Sequence, residues 1–405
     1  MSAQISASAL SFAARSLVRQ PGRAMLGIAG IAATGALLFD MLMLSRGLIV
    51  SMADLLEGTG FDVRITATET APLAGPRIVG AVATAAAVRA LPEVGEVVTV
   101  RIGEATVDVK GRAARVAFIG ADAVRRRPWT LVAGRDLNRT GDAEMATLVV
   151  NQNLANELQL SPGAPVTLRG TCVADTSVPP TIYRIAGIAS FPFDQASQLT
   201  AVTSLDHFAR TCGDGAGDEA DMLMVASEAD HGPDAAARAI RRIRPDLEPV
   251  TNDELVARFH EVEFSYFRQI SAVLASITLF FGMLLITVLL SVSTNQRFGE
   301  IAALRALGFS ARRMVADVLW RSAMLVATGG LLAIPLGLAL SAWLDELLKT
   351  MPGIPANLHF FVFEPRVLAL HVGLLAVTAA VAALYPMWMV ARLPIAATLR
   401  EEVVS

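Results

Sequence analysis

Few residues in this chain have types and spacings that do chemistry, and each candidate fails at an identifiable position. His260-Glu261 opens the H-E-x-x-H pattern of a zinc protease, but Phe264 stands where the second imidazole is required. A nucleotide-hydrolysing P-loop needs a glycine-rich turn followed by Lys and Ser or Thr, and neither Lys110 nor Lys349 lies in one. The acidic loop over 213–221 holds Asp214 and Asp218 without the one-three-five spacing of a calcium loop. No G-x-S-x-G elbow occurs, and the five histidines form no other ligand spacing. Cys172 and Cys212 could form a disulfide or remain two small unpaired residues, and the spacing leaves both open. Asp40 and His371 each sit inside a long apolar run. Asp40 lies near the outer end of its run, where it is expected to reach water and serve structure. His371 is expected to be packed or interfacial. The chain therefore reads as neither an enzyme nor a metal protein, with no cofactor of its own.

What remains is the stretch 296–313, Q-R-F-G-E-I-A-A-L-R-A-L-G-F-S-A-R-R, between two uncharged runs. Ile301, Leu304 and Leu307 recur at three-residue spacing, which on a helix makes one apolar stripe. Arg297, Glu300 and Arg305 lie around it, Gly308 stands where a helix would stop, and Ser310 where the next would be capped. Such a helix can lie on a lipid surface or dock into a groove on a partner protein.

The elements around it follow from charge patterning. The chain of 405 residues is 54% hydrophobic with a formal charge of -3. The run 24–45 contains only Asp40, while 269–296, 322–344 and 367–391 contain no Asp, Glu, Lys or Arg. Each is long enough to cross roughly 30 Å of hydrocarbon as helix, which predicts four transmembrane spans. Arg15, Arg19 and Arg23 precede the first, Arg297, Arg305, Arg312, Arg313 and Arg321 separate the second from the third, and Arg392 and Arg400 follow the fourth. The positive-inside rule then puts both termini and the 296–313 stretch in the cytoplasm, and residues 51–263 outside. Membrane lipids are expected partners, and nucleic acid is not.

Within the outer segment, strands are expected near 61–66, 97–102, 105–109, 116–119, 148–151, 166–169, 182–189 and 222–226. Helices are expected over 78–90, 154–160, 206–212 and 233–244, a mixture that indicates an α+β fold. Stalk helices at 46–57 and 260–267 lead out of and back into the membrane. Gly27, Gly30, Ala33 and Gly35 in the first span, and Gly329, Gly330, Pro335 and Gly337 in the third, allow close helix crossings or a kink.

The stretch Glu300-Ile301-Ala302-Ala303-Leu304-Arg305-Ala306-Leu307-Gly308-Phe309-Ser310 resembles the cytoplasmic signature of FtsX-like permeases of ABC transporters, the MacB and LolC/LolE type. Arg15-Ser16-Leu17-Val18-Arg19-Gln20-Pro21-Gly22-Arg23 resembles that family's N-terminal elbow. Residues 148–168, with Ser161-Pro162-Gly163, and 183–188 resemble parts of its periplasmic domain. Tyr385-Pro386, Ala391-Arg392-Leu393-Pro394-Ile395 and Leu399-Arg400 resemble its C-terminal end. Phe298-Gly299 and Met387-Trp388 depart from the family's usual residues.

The resemblance implies an interfacial helix at 1–23, spans at 24–45, 269–295, 322–344 and 367–391, and a MacB-like periplasmic α+β domain with its stalks over 46–268. A cytoplasmic coupling loop would occupy 296–321, a periplasmic loop 345–366 and a cytoplasmic tail 392–405. It further implies a bacterial inner-membrane permease that forms a homodimer, or a heterodimer with a second permease. ATP and Mg would be bound by a separate ABC ATPase subunit docked on Arg297, Glu300, Ile301, Leu304, Arg305, Leu307 and Gly308. ATP-driven motion of the outer domain would then export or release a hydrophobic or lipidated substrate, with a periplasmic adaptor or lipoprotein as a further partner. The alternative within the family is a non-transporting signal transmitter that regulates a periplasmic hydrolase.

Overall fold

The computed structural model describes residues 21–68, 75–122, 126–137, 146–171, 178–213, 218–259, 265–296, 298–308, 310–351 and 353–392. Two units divide it. One is helical and takes in Met1–Leu48, Phe264–Glu346 and His359–Ser405; the other takes in Ile49–Glu263 and the short segment Leu347–Leu358.

The charge-free runs become the long helices of the first unit. Helix α1 spans Pro21–Gly58 and crosses the boundary between the units at Leu48. The other three long helices are α7 (Ser265–Asn295), α9 (Ala311–Lys349) and α10 (Pro365–Ala391). All four are long and apolar enough to cross a membrane. Ile31, Ile286, Leu290, Val326, Ala379, Ala382 and Ala383 form their shared core. Small residues set how closely they approach. A Cβ added at Gly35 would stand 2.8 Å from the Ala333 side chain, and one at Gly329 would stand 2.7 Å from Ile31. The glycines of the first and third spans thus make a close crossing of α1 and α9, while Pro335 lies inside α9.

In the second unit, β1 (Val63–Thr66), β2 (Ile78–Val79), α2 (Ala81–Arg89) and β3 (Val94–Val109) are followed by β4 (Arg112–Ala121), β5 (Thr130–Gly134) and β6 (Ala146–Asn151). Next come α3 (Gln152–Leu158), β7 (Pro165–Gly170), β8 (Thr181–Ser190), β9 (Thr200–Ser204), α4 (Leu205–Cys212), β10 (Glu219–Ala220) and β11 (Met222–Ser227). Helix α5 (Pro233–Ile243), β12 (Glu248–Thr251) and α6 (Asn252–Arg258) complete it.

Pairing resolves these strands into two lobes. In the first, the order β12-β1-β11-β3 is antiparallel throughout, and α2 and α5 supply the crossovers, which is the split βαβ arrangement. Its core packs Ala85 and Val88 of α2 and Ala236 and Ile240 of α5 against Val63, Ile65, Val97 and Val225. In the second, β3-β4-β9-β6-β8-β7 closes back on β3, a small barrel. Phe118, Leu148, Leu168, Tyr183, Ile185 and Phe208 fill its core. Closure leaves these six strands without a free edge. The strands expected separately at 97–102 and 105–109 are one 16-residue strand, β3, whose first half serves the split lobe and whose second half serves the barrel.

Other local differences have physical causes. The helix expected over 78–90 begins as strand β2, and Gly80 at φ +71° makes the turn into α2. Strands β5, β9, β10 and β12 and helix α6 lie outside the expected elements. β12 carries Pro249, which an edge strand tolerates because one side of its backbone needs no partner. Helix α6 starts on a reciprocal cap between Thr251 and Glu254.

Candidate functional site

The stretch between the second and third long helices folds as α8, Phe298–Ala306. It ends where the backbone N–H of Leu307 donates to the Ala303 carbonyl and Gly308 takes φ +93°, the left-handed conformation that closes a helix. Ala302 is fully buried, while Ile301, Leu304 and Arg305 are half-buried. Leu307 is 77% exposed. The expected stripe is therefore graded: its first residues lean on the protein and its last faces outward. Glu300 lies within the helix, and Arg297 lies outside the described residues. An exposed leucine one turn from a half-buried pair is an apolar contact surface with no chemistry of its own.

The second unit carries a cleft of about 910 Å³ lined by α2, β3, α4 and the segments beside them. Arg89, Arg101 and Arg126 face Glu96, Asp122, Asp206, Asp218, Glu219 and Glu228 across it. Arg101 is 4% exposed, pairs with Asp221 at 3.4 Å and lies over the Phe208 ring at 5.5 Å. A buried guanidinium held this way fixes the cleft's floor. Its sequence signal was a lone Arg within the apolar strand 97–102. Burial raises the Tyr183 phenol above its ordinary value, and burial together with Arg210 lowers the His207 imidazole.

A second polar cluster ties the segment 347–358 to the loop after β8. The backbone N–H of Ala356 donates to the Asp194 carbonyl at 2.7 Å, and that of Gly353 donates to Gln195 Oε1 at 2.8 Å. Asp194 accepts from Asn151 Nδ2 at 2.6 Å and from Thr200 Oγ1 at 2.7 Å. Burial raises its carboxyl above the ordinary value, and these bonds pull it part of the way back.

Asp40 corrects an expectation. It does not reach water: it is 0% exposed and accepts from Ser341 Oγ of α9 at 2.7 Å. The stalk expected at 46–57 continues the same helix to Gly58, and what keeps Asp40 from water is its packing against α9. His371 is also fully buried, edge-on to Phe39 at 5.1 Å. Cys212 is buried at the end of α4 and is disulfide-bonded. Cys172, the chain's other cysteine, lies outside the described residues. No group of three His, Cys, Asp or Glu is placed to hold a metal ion among the described residues.

Family models match both parts of this arrangement. The FtsX-like permease C-terminal model matches residues 272–395, and the MacB-like periplasmic core domain matches residues 24–243, more than half of the chain. The chain belongs to the FtsX/MacB-type permeases. It is thus a multi-pass membrane protein and a membrane component of an ABC transporter, a family that works with an ATPase partner. Its apolar helices with a strand-rich domain between the first two are the MacB-like fold.

Among solved structures, the periplasmic region of MacB from Actinobacillus actinomycetemcomitans is 10% identical at a TM-score of 0.39, covering 51% of this chain and 96% of that one. The extracellular domain of the noncanonic ABC-type transporter YknZ from Gram-positive bacteria is 10% identical at 0.35, covering 47% of this chain and 99% of that one. At scores this low these likenesses add nothing to the family assignment, which rests on the family models. No curated protein matches the chain.

Proposed function

We propose that this permease couples ATP hydrolysis in a separate ATPase subunit to motion of its outer domain, and so exports or releases a hydrophobic or lipidated substrate. The observation that carries this reading is α8. A nine-residue helix joins two apolar helices and ends on an exposed Leu307 and a left-handed Gly308. Ile301, Leu304, Leu307 and Gly308 form the ATPase contact, with Arg297, Glu300 and Arg305 supplying charge beside it. ATP and Mg belong to the partner, because neither lysine of this chain lies in a phosphate-binding loop.

Arginine placement supports an inner-membrane protein with both termini and α8 in the cytoplasm. Two permeases act together as a homodimer or heterodimer, which is what membership of the family implies. In an oxidising periplasm the bonded Cys212 pairs with Cys172. The mixed-charge cleft is wide enough to accept a segment of an adaptor or lipoprotein.

The test is purification from the native membrane in mild detergent. A stoichiometric ATPase should copurify with the wild type. Leu307→Asp should reduce it tenfold or more while membrane insertion stays normal, since this side chain is exposed and its loss leaves the fold intact. Leu304→Asp, at a half-buried side chain, should also reduce recovery of the ATPase. Unchanged recovery with both variants would make α8 an interfacial helix. A copurifying hydrolase in place of a transport substrate would move the protein to the signal-transmitting branch.

A further inference from the structure

Tyr385, Trp388 and Arg392 follow one another at spacings of three and four residues, which puts them on one face at the end of α10. The other face is committed to the protein, with Pro386 and Val390 buried. Pro386 lacks an N–H, which leaves the Ala382 carbonyl four residues earlier without its helical donor. Thr287 Oγ1 of α7 donates to that carbonyl at 3.3 Å, so the helix runs on past the proline with this acceptor satisfied.

On the outward face, Tyr385 is 55% and Trp388 53% exposed, and their rings stack with centroids 6.5 Å apart. The guanidinium of Arg392 lies over the Trp388 ring at 4.9 Å, within cation–π range. The ring takes only the flat face of the guanidinium and leaves its in-plane fork of N–H donors open. Among the described residues no hydrogen bond or ion pair engages that fork. No Asp or Glu lies anywhere in α10 to neutralise it.

The surroundings say what such a group would meet. α10 is long and apolar enough to cross a membrane, and Arg392 is the first charge after its uncharged run, at the level where head groups lie. The same helix face continues inward from Trp388 through exposed Leu384, Val381 and Val377. A ligand on this face therefore meets a cation at one end and hydrocarbon along the rest. A guanidinium fork matches the oxygens of a phosphate, and the indole N–H and phenol O–H are further donors beside it. A zwitterionic lipid brings its own cation to that phosphate, so an uncompensated guanidinium favours a head group of net negative charge.

We propose that the end of α10 binds an anionic phospholipid, with its phosphate on Arg392, which Trp388 and Tyr385 hold in place, and its acyl chain along Leu384, Val381 and Val377. The site rests on the membrane helix alone and not on the transport reading.

The full-length protein in phosphatidylcholine vesicles tests this, with phosphatidylglycerol carrying a photoactivatable group beside its head group as the probe. Cross-links mapped by peptide mass spectrometry should fall within 377–392 and saturate. Unlabelled phosphatidylglycerol should compete several-fold better than phosphatidylcholine. Arg392→Gln should lower saturable labelling about fivefold, the effect of one basic residue at a membrane surface. Trp388→Leu keeps the charge and removes the ring that positions it, and should lower labelling about two- to fivefold. Both side chains are exposed, so these variants leave the fold intact. Equal competition by the two lipids would overturn the proposal and leave an ordinary aromatic anchor. Unchanged labelling in Arg392→Gln would also overturn it. Loss of the copurifying ATPase in Arg392→Gln, with labelling unchanged, would give this face to the protein partner instead.

Discussion

The strand-rich unit and the long helices differ in how completely they partner their buried polar groups. In the strand-rich unit they are held by neighbours: Arg101 by Asp221 and the Phe208 ring, Asp194 by Asn151 and Thr200. A sheet offers backbone and side-chain partners from several strands at once, so a charge there can be enclosed by a network. In the helical unit the backbone is consumed by the helices themselves, and few polar side chains remain. Asp40 has Ser341 on one oxygen and no partner on the other among the described residues, and His371 has none on either nitrogen. In the helical unit Asp345 is held by His359 Nδ1 at 2.8 Å and the Phe360 N–H at 2.7 Å and marks structure, so only an enclosed group left short of partners, as at Asp40 and His371, is a candidate for function there.

Three substitutions sharpen or break that contrast. Arg101→Met should have the largest effect, because it removes the buried cation beside Asp221 and leaves that carboxylate only the more exposed Arg77 at 3.5 Å and the Ile102 N–H at 2.7 Å. The expected cost is ~1–3 kcal/mol, read by thermal unfolding. A cost well under about 1 kcal/mol would mean that Arg77 and the backbone alone hold this carboxylate.

Asp40→Asn keeps an acceptor for Ser341 and removes the charge. If its role is purely structural, stability in detergent should stay within about 1 kcal/mol of wild type. A fall in ATPase-coupled activity at unchanged stability would instead assign Asp40 a working role.

The smallest effect is expected at Asp194. Burial holds its carboxyl above the ordinary 3.8, so the folded domain binds that proton more tightly than the unfolded chain does. Its contribution is full below the ordinary value and is lost as pH rises through the folded value. Asp194→Asn removes that loss, so its melting temperature relative to wild type should rise by a few degrees at most between pH 4 and pH 7. A pH-independent difference would show that Asp194 does not titrate in this range.

The helical unit was legible in the sequence because lipid forbids charge, and four gaps in the charge pattern mark its helices. The α8 stretch was legible for the same reason, as a charged island with an apolar stripe. The outer domain was legible only as a list of strands. Its pairing is non-local: β4 lies parallel to β9, and β7 returns to β3, with no periodicity to announce either. Gly103-Glu104 looked like a break and is the middle of one strand. The burial of Asp40 was not legible, because its cover is Ser341 of α9, a contact between helices that no pattern within either helix announces.

The shared strand β3 has a consequence for how the protein is made. The split lobe is discontinuous: its halves end at Val100 and resume at Met222, and the barrel is encoded between them. As the chain emerges, β1, α2 and β3 lack β11, their central partner, until the barrel has been synthesised. The barrel can close on itself first, and in closing it draws the two halves together, so much of the loop-closure entropy is already met before β11 pairs. Assembly of the outer domain is thus ordered, insert before host. A lesion in the barrel core would be expected to strand the split lobe as an open sheet edge, exposed to aggregation.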